Sequence, residues 1–377
     1  MEIAVYFDLP YGGAARTMIE VMKRLEAKGH KLTTYHNTPS TIKPPFLKHL
    51  FGDLESIVLQ RFKQKVQANE IDTKKYDLVF VSHDRHSQAP WILRYLKTPS
   101  VLLCQEPTRS YFEYFLRINP NMPVINRIYE TINRYFRKNL EIENAKHVTK
   151  MITNSVYSME SAYRAYGVVS APVYHGVDTS EHYPVKIKKE NQVILIGNNE
   201  PQKALADAIE SVALVNEAKR PTLVIISPRK VNNDDLFALA KKRKVSMQIM
   251  SGLTEKELRE EYNKSIATLA LAHLETFGLS VVEGMANGIP VIAVREGGYR
   301  EIVKEGVTGL MVPRDFKLIA EAIEYLQKHK KLAIEMGKNG IIDANTNFSW
   351  DKTTDEMEKV FYEATKNQNI RHNRKLQ

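Results

Sequence analysis

The chain has 377 residues, of which 43% are hydrophobic, 9% aromatic and 26% charged. This composition is that of a globular protein and excludes collagen, coiled-coil and wholly disordered chains. The length predicts two domains, because single hydrophobic cores stop growing at roughly 250–300 residues. A lone cysteine, Cys104, cannot form an internal disulfide, and no run reaches the ~18 apolar residues of a spanning helix. With no signal-peptide pattern at its start, the sequence predicts a cytoplasmic protein.

The formal net charge is +10, and it is unevenly distributed. Residues 1–187 hold 25 basic and 18 acidic side chains, a net of +7, whereas residues 188–377 hold 29 and 26, a net of +3. A basic first half favours an anionic partner such as nucleic acid, anionic lipid or a phosphorylated acceptor, although a solvated basic surface explains it equally well.

Short apolar runs alternate with helical patterns along the first half of the chain. The runs predicted to be strands are 2–7, 31–36, 77–82 and 100–105. A helix is predicted from about Ala14 to Lys28, where Gly29 supplies a typical C-terminal signal. Strands separated by helices imply a parallel sheet with right-handed crossovers.

The same alternation restarts after residues 182–189, a Pro- and Lys-containing stretch that we interpret as a linker. Strands are predicted over 192–196, 222–227, 246–250, 268–272 and 290–293, and helices over 203–216, 234–243, 254–264 and 280–287. Thr254 and Glu257 have the spacing of a capping box. We therefore expect an α/β protein with two doubly wound domains facing a cleft, where ligands bind at the carboxyl ends of the strands.

Residues 109–150 form a basic and amphipathic segment. Apolar residues between Val124 and Leu140 recur at helical spacing, at positions 125, 128, 129, 132, 136 and 140. Arg127, Arg134 and Lys138 share another face, and four aromatic residues precede the helix, namely Tyr111, Phe112, Tyr114 and Phe115. Such a helix can lie on an anionic membrane surface, although packing on its own domain explains the pattern as well. No motif favours nucleic acid.

The stretch from Glu275 to Gly298 is the most informative about function. A predicted strand ends in a loop that holds Glu275, and a helix begins near Leu279. The amino end of such a helix binds anions through its unpaired N–H groups and its dipole. Glu275 and Glu283 add two carboxylates, whose oxygens accept hydrogen bonds from sugar hydroxyls. Spacing alone also fits a solvated loop acid and an ordinary helical glutamate.

The segment ETFGLSVVEGMANGIPVIAVREGGYREIVKEGVTGLMVP resembles the donor-site signature of glycosyltransferase family 4, with its E-x7-E pair at Glu275 and Glu283. IGNNEPQKALADAIESVALV is similar to the family's diphosphate segment, and FSWDKTTDEMEKVFYEA to its final crossover helix. PYGGAARTMIE resembles the glycine loop, VLLCQEPTRSYFE the acceptor-domain segment, and ITNSVYSMESAYRAYGV with YHGVDTSEHYP the interdomain end. These segments cover most of the chain in the family's order.

The resemblance implies the GT-B fold, in which two Rossmann-like domains face a central cleft. The implied parts are an acceptor-binding domain over 1–183, a nucleotide-sugar-binding domain over 190–346, a crossover helix over 347–366 that returns to the first domain, and a basic polar tail over 367–377. The implied activity is retaining transfer of a hexose from a UDP- or GDP-sugar to a glycan or lipid-linked acceptor. No cofactor or divalent metal is expected, and a lipid-linked acceptor would place the protein peripherally on the inner face of the plasma membrane.

The family's residue roles carry over one position at a time. Glu275 would contact the donor sugar, Glu283 the ribose hydroxyls, and Lys203 the diphosphate as its charge develops. Gly12 and Gly13 would let the first loop approach the phosphates closely. The other donor-binding candidates are Gly197, Asn198, Ser251, Gly252, Leu253, Thr276, Phe277, Gly278 and Leu279, of which 251–253 would recognise the base.

Two positions depart from the family pattern. Asn198 stands where an arginine usually follows the glycine, so either Lys203 acts alone or Arg295 or Arg300 compensates. Gln105 replaces the usual acceptor-domain histidine, and it cannot carry a proton or a charge. His83 is the candidate for that catalytic role beside Gln105, and Gln105, Arg109 and His86 are acceptor-binding candidates.

Two other functions stay open. A degenerate transferase that serves as a binding or membrane-assembly subunit would account for Asn198 and Gln105. A Rossmann oxidoreductase fits less well, because Pro-Tyr-Gly-Gly rather than G-x-G-x-x-G follows the first strand. The sequence has no Asp-x-Asp pair at a strand end, cysteine cluster or His-x-x-x-His motif that would indicate a metal site.

Overall fold

A computed structural model describes residues 1–9, 12–36, 55–113, 118–227 and 233–374, with the side chains of 55–56 and 367–374 excepted. The chain divides into two compact units. The first comprises Met1–Val173 and Thr354–Gln377, and the second comprises Tyr174–Thr353. Pro10 and Tyr11 of the glycine loop, Tyr114 and Phe115 of the amphipathic segment, and the side chains of the proposed tail 367–377 lie outside the described residues.

A six-stranded parallel sheet forms the centre of the first unit, in the order β2-β1-β3-β4-β5-β6. Its strands are β1 (Glu2–Tyr6), β2 (Lys31–Tyr35), β3 (Leu78–Ser82), β4 (Ser100–Leu103), β5 (Lys150–Thr153) and β6 (Ser170–Pro172). In the register of the sheet, Val5 lies between Thr34 and Phe80. β3 and β4 are buried along their whole length, as expected of parallel strands that are covered on both faces.

Helices connect the strands of the first unit. They are α1 (Gly13–Ala27), α2 (Gln60–Thr73), α3 (Arg109–Phe112), α4 (Val124–Ala145) and α5 (Val156–Tyr166). α1 buries Met18, Val21 and Leu25 in one cluster with Ile3 and Val5 of β1, because these helix residues recur at intervals of three and four. The predicted helix over 14–28 is therefore confirmed with a shift of one residue at each end.

A second six-stranded parallel sheet forms the centre of the second unit, in the order β12-β11-β10-β7-β8-β9. Its strands are β7 (Gln192–Ile196), β8 (Thr222–Ser227), β9 (Met247–Ser251), β10 (Ala267–Ala270), β11 (Val291–Val294) and β12 (Gly309–Val312). The predicted α/β class with two doubly wound units is confirmed.

The helices of the second unit are α6 (Leu205–Leu214), α7 (Asp234–Arg243), α8 (Glu255–Lys264), α9 (Leu279–Ala286), α10 (Tyr299–Ile302), α11 (Phe316–Lys328) and α12 (Lys330–Asn347). The capping box predicted for α8 is confirmed. The Glu257 N–H donates to Thr254 Oγ1 at 3.3 Å, and the Thr254 N–H donates to Glu257 Oε2 at 2.7 Å.

The chain passes from the first unit to the second after Val173, ahead of residues 182–189 that the sequence suggested as the linker. Residues 174–189 pack with the second unit instead. The Val177 N–H donates to Phe348 O at 2.8 Å, and buried His182 contacts Asn287 at 3.2 Å. Proline and lysine content therefore did not mark the boundary, because these contacts come from residues more than 100 positions away.

The last helix, α13 (Trp350–Arg374), belongs to the first unit from Thr354 onward. Buried Phe361 packs on Phe80 of β3, with ring centroids 4.9 Å apart. Glu358 accepts a hydrogen bond from Lys28 Nζ at 2.7 Å and pairs with His30 Nε2 at 2.7 Å. The Lys28 hydrogen bond is the main reason that the pKa of Glu358 lies below its ordinary value. Apolar contacts and charge together attach this helix to the first unit.

We expect Phe361→Ala to destabilise the first unit by about 3–5 kcal/mol, because it removes a fully buried ring and leaves a cavity against β3. Urea unfolding followed by circular dichroism measures the change. The matched control is Tyr362→Ala, whose side chain is exposed and should change the free energy of unfolding by less than about 0.5 kcal/mol. Equal effects of the two substitutions would show that the helix is not packed through Phe361.

Candidate functional site

The order of the second sheet reverses between β7 and β10. Successive crossovers run outward from β7 to β8 and β9 on one side, and from β10 to β11 and β12 on the other. In open α/β sheets, ligands bind beyond the carboxyl ends of the strands where the order reverses. β7 leads into residues 197–203 and β10 into residues 271–278, so both loops begin at this point.

Lys203 and Glu275 come together there. Lys203 Nζ lies 2.8 Å from Glu275 Oε2, and the two side chains are 31% and 20% exposed. Four described residues other than glycine have a positive φ, and two of them, Ala204 and Leu274, are chain neighbours of this pair. Positive φ angles in residues with a Cβ cost energy and concentrate where function requires a fixed geometry. The backbone thus holds both charged side chains at the carboxyl edge of the sheet.

Two glycines hold the Glu275 loop by direct backbone contact. The Gly298 N–H donates to Glu275 O at 2.7 Å. A Cβ at Gly297, whose φ is +54°, would lie 2.3 Å from Glu275 O, and a Cβ at Gly298 would lie 2.4 Å from Thr276 O. Any side chain at these positions would therefore push the Glu275 loop away. The Gly-Gly pair after β11 is what allows this close approach.

The amino end of α9 follows the same loop. Gly278, with a φ of +116°, precedes the helix, and no side chain of the described residues caps it. Phe277 is buried and packs against Tyr174 and Phe348, at centroid distances of 6.1 and 6.0 Å. The buried ring fixes the loop, while the first turn of the helix keeps its backbone N–H groups beside Glu275. Such N–H groups suit a phosphate.

Glu283 lies on α9 and is almost fully buried. Its Oε2 accepts a hydrogen bond from the Tyr262 hydroxyl at 3.1 Å, and its Oε1 lies 3.9 Å from His182 Nε2. Asn287 Nδ2 lies 3.2 Å from His182 Nδ1, so Nδ1 accepts this hydrogen bond and Nε2 carries the proton. The carboxylate is therefore oriented by a phenol on one side and faces an imidazole N–H on the other.

The model of the family described as Glycosyl transferases group 1 matches residues 178–343. The second unit carries a glycosyl transferases group 1 domain. A D-inositol 3-phosphate glycosyltransferase of Corynebacterium efficiens is 36% identical to this chain over 110 residues, which are 29% of this chain and 26% of that protein. The chain thus matches about a quarter of the length of such curated relatives.

Solved structures extend the likeness to nearly the whole chain. A sucrose-phosphate synthase from Thermosynechococcus elongatus has a TM-score of 0.74 and 16% identity, covering 96% of this chain and 99% of that one. Anabaena HepE, solved in complex with UDP and glucose, has a TM-score of 0.71 and 15% identity, covering 96% and 100%. The fold is therefore GT-B, as the sequence resemblance implied.

One arginine that sequence reasoning missed connects the loops of the glycosyltransferase domain. The Arg314 guanidinium donates to both carboxylate oxygens of Glu296 at 2.8 Å and to Asp207 Oδ2 at 3.2 Å. It also donates to the carbonyl oxygens of Leu271 and Ala272 at 2.8 and 3.2 Å. These partners lie in α6, after β10 and before Gly297. Arg314 lies just after β12, but its side-chain partners Glu296 and Asp207 are 18 and 107 positions away in the sequence. No local pattern could therefore reveal its role.

The base-recognition candidates and Asn198 surround the carboxyl ends of β7 and β9. Ser251 ends β9, Gly252 has a φ of +71°, and Leu253 packs in a small cluster with Tyr262. The Gly197 N–H donates to Ile226 O at 3.0 Å, and Asn198 Oδ1 is buried with no hydrogen-bond donor among the described residues. Asn198 thus supplies an amide where the family pattern has an arginine.

The two arginines considered as substitutes for that missing charge differ in their contacts. Arg295 donates to Met311 O at 3.2 Å and lies 3.8 Å from Glu305, so it is directed toward β12. Arg300 Nε donates to Gly297 O at 3.3 Å, which keeps it on the Gly-Gly loop beside Glu275. Arg300 is therefore the better placed of the two.

The acceptor-side candidates lie in the first unit, near the carboxyl ends of its strands. Gly12 precedes α1 and Gly13 begins it, while His83 follows β3 and Gln105 lies two residues after β4. Burial lowers the pKa of His83 to about 4, so its imidazole is neutral at pH 7. Gln105 Nε2 is buried with no acceptor among the described residues.

Two buried carboxylates, which sequence reasoning also missed, fix the loops around these candidates. Asp84 accepts hydrogen bonds from the His86 and Ser87 N–H groups at 2.8 and 2.9 Å. Glu141 of α4 accepts from Thr108 Oγ1 at 2.7 Å and from the Tyr166 hydroxyl, and so holds the loop that contains Gln105. Arg109 pairs with Glu106 at 2.6 Å. No sequence pattern distinguishes these buried acids from surface acids.

Among the residues that the structure describes, no group of three or more His, Cys, Asp or Glu side chains is arranged to hold a metal ion. None of the described helices is both long and apolar enough to cross a membrane.

The Glu296–Arg314 pair predicts a pH dependence of stability. Burial alone would raise the pKa of Glu296, but the hydrogen bonds and charge of Arg314 lower it below the ordinary 4.5. Its stabilisation is thus fully present above about pH 4.5 and is lost as the pH falls through the lowered value. We expect Glu296→Gln to cost about 1.5–3 kcal/mol at pH 7, because it weakens charged hydrogen bonds.

Urea unfolding of both proteins from pH 7 to pH 3 measures this difference, which should shrink below pH 4.5 as wild-type Glu296 also loses its charge. Glu321→Gln, which changes an exposed acid on α11, is the matched control and should have little effect at any pH. A difference that stays constant over the whole range would contradict the assignment.

Proposed function

We propose that the protein is a retaining glycosyltransferase that moves a hexose from a nucleoside-diphosphate sugar to a hydroxyl acceptor. The observation that carries the proposal is the Lys203–Glu275 pair, held beside the amino end of α9 where the second sheet reverses its order. A cation, a carboxylate and unpaired helix N–H groups match the two halves of such a donor. The N–H groups and Lys203 suit the diphosphate, and Glu275 suits the sugar hydroxyls.

Lys203 and Glu275 exchange partners when the donor binds. Their ion pair is partly exposed, and such pairs stabilise proteins by only about 0–1 kcal/mol. Turning Lys203 toward the diphosphate therefore costs little, and the ammonium gains a partner with more negative charge. Glu275 then accepts hydrogen bonds from the sugar. Because both groups are aligned by the backbone, they need little reorganisation as negative charge grows on the leaving phosphate.

Glu283 binds the ribose of the donor. The Tyr262 hydroxyl orients its carboxylate, so that it accepts hydrogen bonds from adjacent ribose hydroxyls in a fixed geometry. The 251–253 loop binds the base, and Asn198 offers an amide to the donor in place of the family's arginine. HepE was solved with UDP, which makes UDP-sugars the first donors to test.

The acceptor hydroxyl attacks the anomeric carbon from the face that the diphosphate leaves. The bond from the acceptor oxygen to the anomeric carbon forms as the bond to the diphosphate oxygen breaks, and the hydroxyl proton passes to the leaving phosphate. No side chain is needed as a base, which agrees with the lowered pKa of His83, about 4, that makes it a weak base, and with Gln105 in the histidine position. We assign Gln105, Arg109 and His86 to the binding of the acceptor, and His83 to a neutral hydrogen-bonding role.

Glu275→Gln should abolish sugar transfer and leave binding of UDP or GDP largely unchanged, because the side chain addresses the sugar. Lys203→Ala should weaken nucleoside-diphosphate binding and slow transfer, by about 2–4 kcal/mol in total. Product formation from radiolabelled nucleotide sugars and thermal shifts with UDP and GDP provide the two readouts.

Lys241→Ala changes an exposed lysine of the same unit, in the last turn of α7, and serves as the control. Normal turnover in folded Glu275→Gln would contradict the assignment of Glu275. Nucleotide binding without transfer or donor hydrolysis in the wild type would instead favour the non-catalytic subunit.

We further propose that transfer needs no divalent metal, since Lys203 and the amino end of α9 supply the positive charge that the diphosphate requires. The rate should be unchanged, within about twofold, after treatment with EDTA and dialysis. The measurement is repeated with added magnesium or manganese. Loss of activity that either ion restores would overturn this part of the proposal.

The acceptor is proposed to be lipid-linked, because α4 presents an apolar face to solvent. Ile125, Ile128, Ile132 and Phe136 are each more than half exposed, with Ile125 reaching 80%. They recur at intervals of three and four residues and form the stripe that the sequence predicted. Exposed apolar side chains in such a row favour an apolar environment, and an interfacial helix gains by burying them among lipid chains.

The basic residues of α4 are less available than the sequence suggested. Arg134 donates to Glu130 Oε1 at 2.8 Å and to Ser110 O at 2.9 Å, and Lys138 lies 5.0 Å from the centre of the Phe112 ring. Arg127 donates to Pro120 O at 3.2 Å. Because these contacts hold the side chains to their own unit, the apolar stripe is the main membrane-binding feature of the proposal and the charge is secondary.

Wild-type protein should cosediment with phosphatidylglycerol vesicles and keep much of its binding at 1 M salt, where the Debye length is about 3 Å. Replacing Ile125, Ile132 and Phe136 by serine should weaken binding at least tenfold, since each loses part of roughly 1.5–3 kcal/mol of apolar transfer. Serine at three exposed apolar residues elsewhere, Val66, Val169 and Ile342, is the matched control. Equal binding of the two triple mutants would favour a soluble acceptor.

A further inference from the structure

A cavity of about 570 Å³ lies in the second unit, away from the donor site. Its walls include Lys189, Ile266, Pro290, Leu326, Lys330 and Ile334. Ile266 and Pro290 immediately precede β10 and β11, and Lys189 lies three residues before β7. The cavity is therefore at the amino ends of the strands, whereas Lys203 and Glu275 follow the carboxyl ends. Its volume falls in the range of about 300–1,000 Å³ that small-molecule sites occupy.

The cavity is lined partly by apolar side chains and partly by lysines. Ile266, Pro290 and Leu326 supply an apolar surface, of which Leu326 is fully buried. Three lysines line the cavity, Lys189, Lys219 and Lys330, against one acid, Glu190. The lining thus carries a formal charge of +2 beside an apolar surface, which is the complement of an amphiphile with an anionic head.

Lys189 is the most informative of these cations. Its ammonium donates to Ser265 O at 2.7 Å, a neutral acceptor. Burial lowers the pKa of Lys189 to about 8, because the ammonium has lost water without gaining a carboxylate close enough to compensate. An anion in the cavity would supply that compensation.

The polar wall of the cavity also has an unsatisfied acceptor. Gln327 Nε2 donates to Asn191 Oδ1 and to Lys219 O, both at 2.8 Å, which fixes its amide. Its Oε1 is buried and receives no hydrogen bond from the described residues. Buried side-chain oxygens usually have a partner, so this acceptor leaves room for a hydrogen-bond donor and does not itself select an anion.

We propose that this cavity binds an amphiphilic anion, with an apolar chain or ring against Ile266, Pro290 and Leu326 and a carboxylate or phosphate head near Lys189 and Lys330. The site is separate from the proposed donor site and does not depend on the proposed transferase activity. The ligand class follows from the apolar surface and the excess of lysine, and both halves of the ligand are required for tight binding.

A thiol reporter tests the proposal. Ile334 lines the cavity and is 60% exposed, so Ile334→Cys should fold normally and place a reactive thiol at the site. The native Cys104 is fully buried, and burial raises its pKa well above the ordinary value, so it reacts slowly. The rate at which iodoacetamide alkylates the introduced thiol, followed by mass spectrometry, then reports occupancy of the cavity.

Decanoate and decyl phosphate, each below its micelle concentration, should slow alkylation of the Ile334→Cys variant at least fivefold at saturation. Decanol, which lacks the charge, and inorganic phosphate, which lacks the chain, should protect at least tenfold less effectively. In the same background, Lys330→Glu and Lys189→Gln should each raise the half-protecting concentration tenfold or more. Lys331→Glu, the neighbour on α12 that does not line the cavity, should change it less than twofold.

Absence of protection by both anions would overturn the proposal, as would equal effects of Lys330→Glu and Lys331→Glu. Protection by decanol as strong as that by decanoate would overturn the anionic part. Lys203→Ala should leave the protection unchanged, so this experiment stands or fails independently of the donor site. Circular dichroism of every variant distinguishes lost binding from lost folding.

Discussion

A single guanidinium group holds the carboxyl edge of the second sheet in place. Arg314 reaches α6, the carbonyl groups that follow β10, and Glu296 ahead of the Gly-Gly pair. These three segments adjoin Lys203, Glu275 and the glycines that support the Glu275 loop. A planar donor with five N–H groups can serve all of them at once, which an ammonium could not do. The position of the Lys203–Glu275 pair therefore depends on a residue that contacts neither member.

The two sites described in the second unit share one turn. Asn287 ends α9 and donates to Glu283 O at 2.9 Å, while its amide also contacts His182. The next residues, Gly288 and Pro290, line the cavity at the opposite edge of the sheet. A molecule in that cavity touches the turn that terminates the helix of Glu283. The buried amide of Asn287 thus bonds to the helix that carries Glu283 and lies one residue from the cavity wall.

The sequence predicted the parts of the fold that arise from local patterns. The strand 192–196, the helix 234–243 and the Thr254 capping box agree with the structure because apolar alternation, end signals and side-chain caps act within a few residues. The helix α2 was missed, because polar Gln60 and Gln64 lie on its buried face while apolar Phe62 and Val66 are exposed, so it has no regular amphipathic pattern. The unit boundary was misplaced because distant contacts of Val177 and His182 determine it.

The residues of the candidate site likewise fall into two groups, those that a sequence motif predicts and those that only distant contacts reveal. Lys203, Glu275 and Glu283 follow from a motif whose spacing is fixed by a strand, a loop and a helix. Arg314, His182, Tyr262 and Glu141 support such residues from 20 to more than 100 positions away, and their types are common on surfaces. The exposure of the α4 stripe was equally hidden, because an amphipathic pattern reads the same whether its apolar face is buried or faces solvent.

The return of α13 to the first unit also dictates an order of events during synthesis. The sheet of the first unit emerges from the ribosome early, but Phe361, which covers Phe80, is made only after the whole second unit. The 181 positions from Val173 to Thr354 take roughly 10–40 s at the usual rate of about 5–20 residues per second. For that interval, the apolar surface of β1 and β3 beneath α13 stays uncovered on the nascent chain. Chaperones that bind such surfaces would therefore meet the first unit while the second is already able to fold.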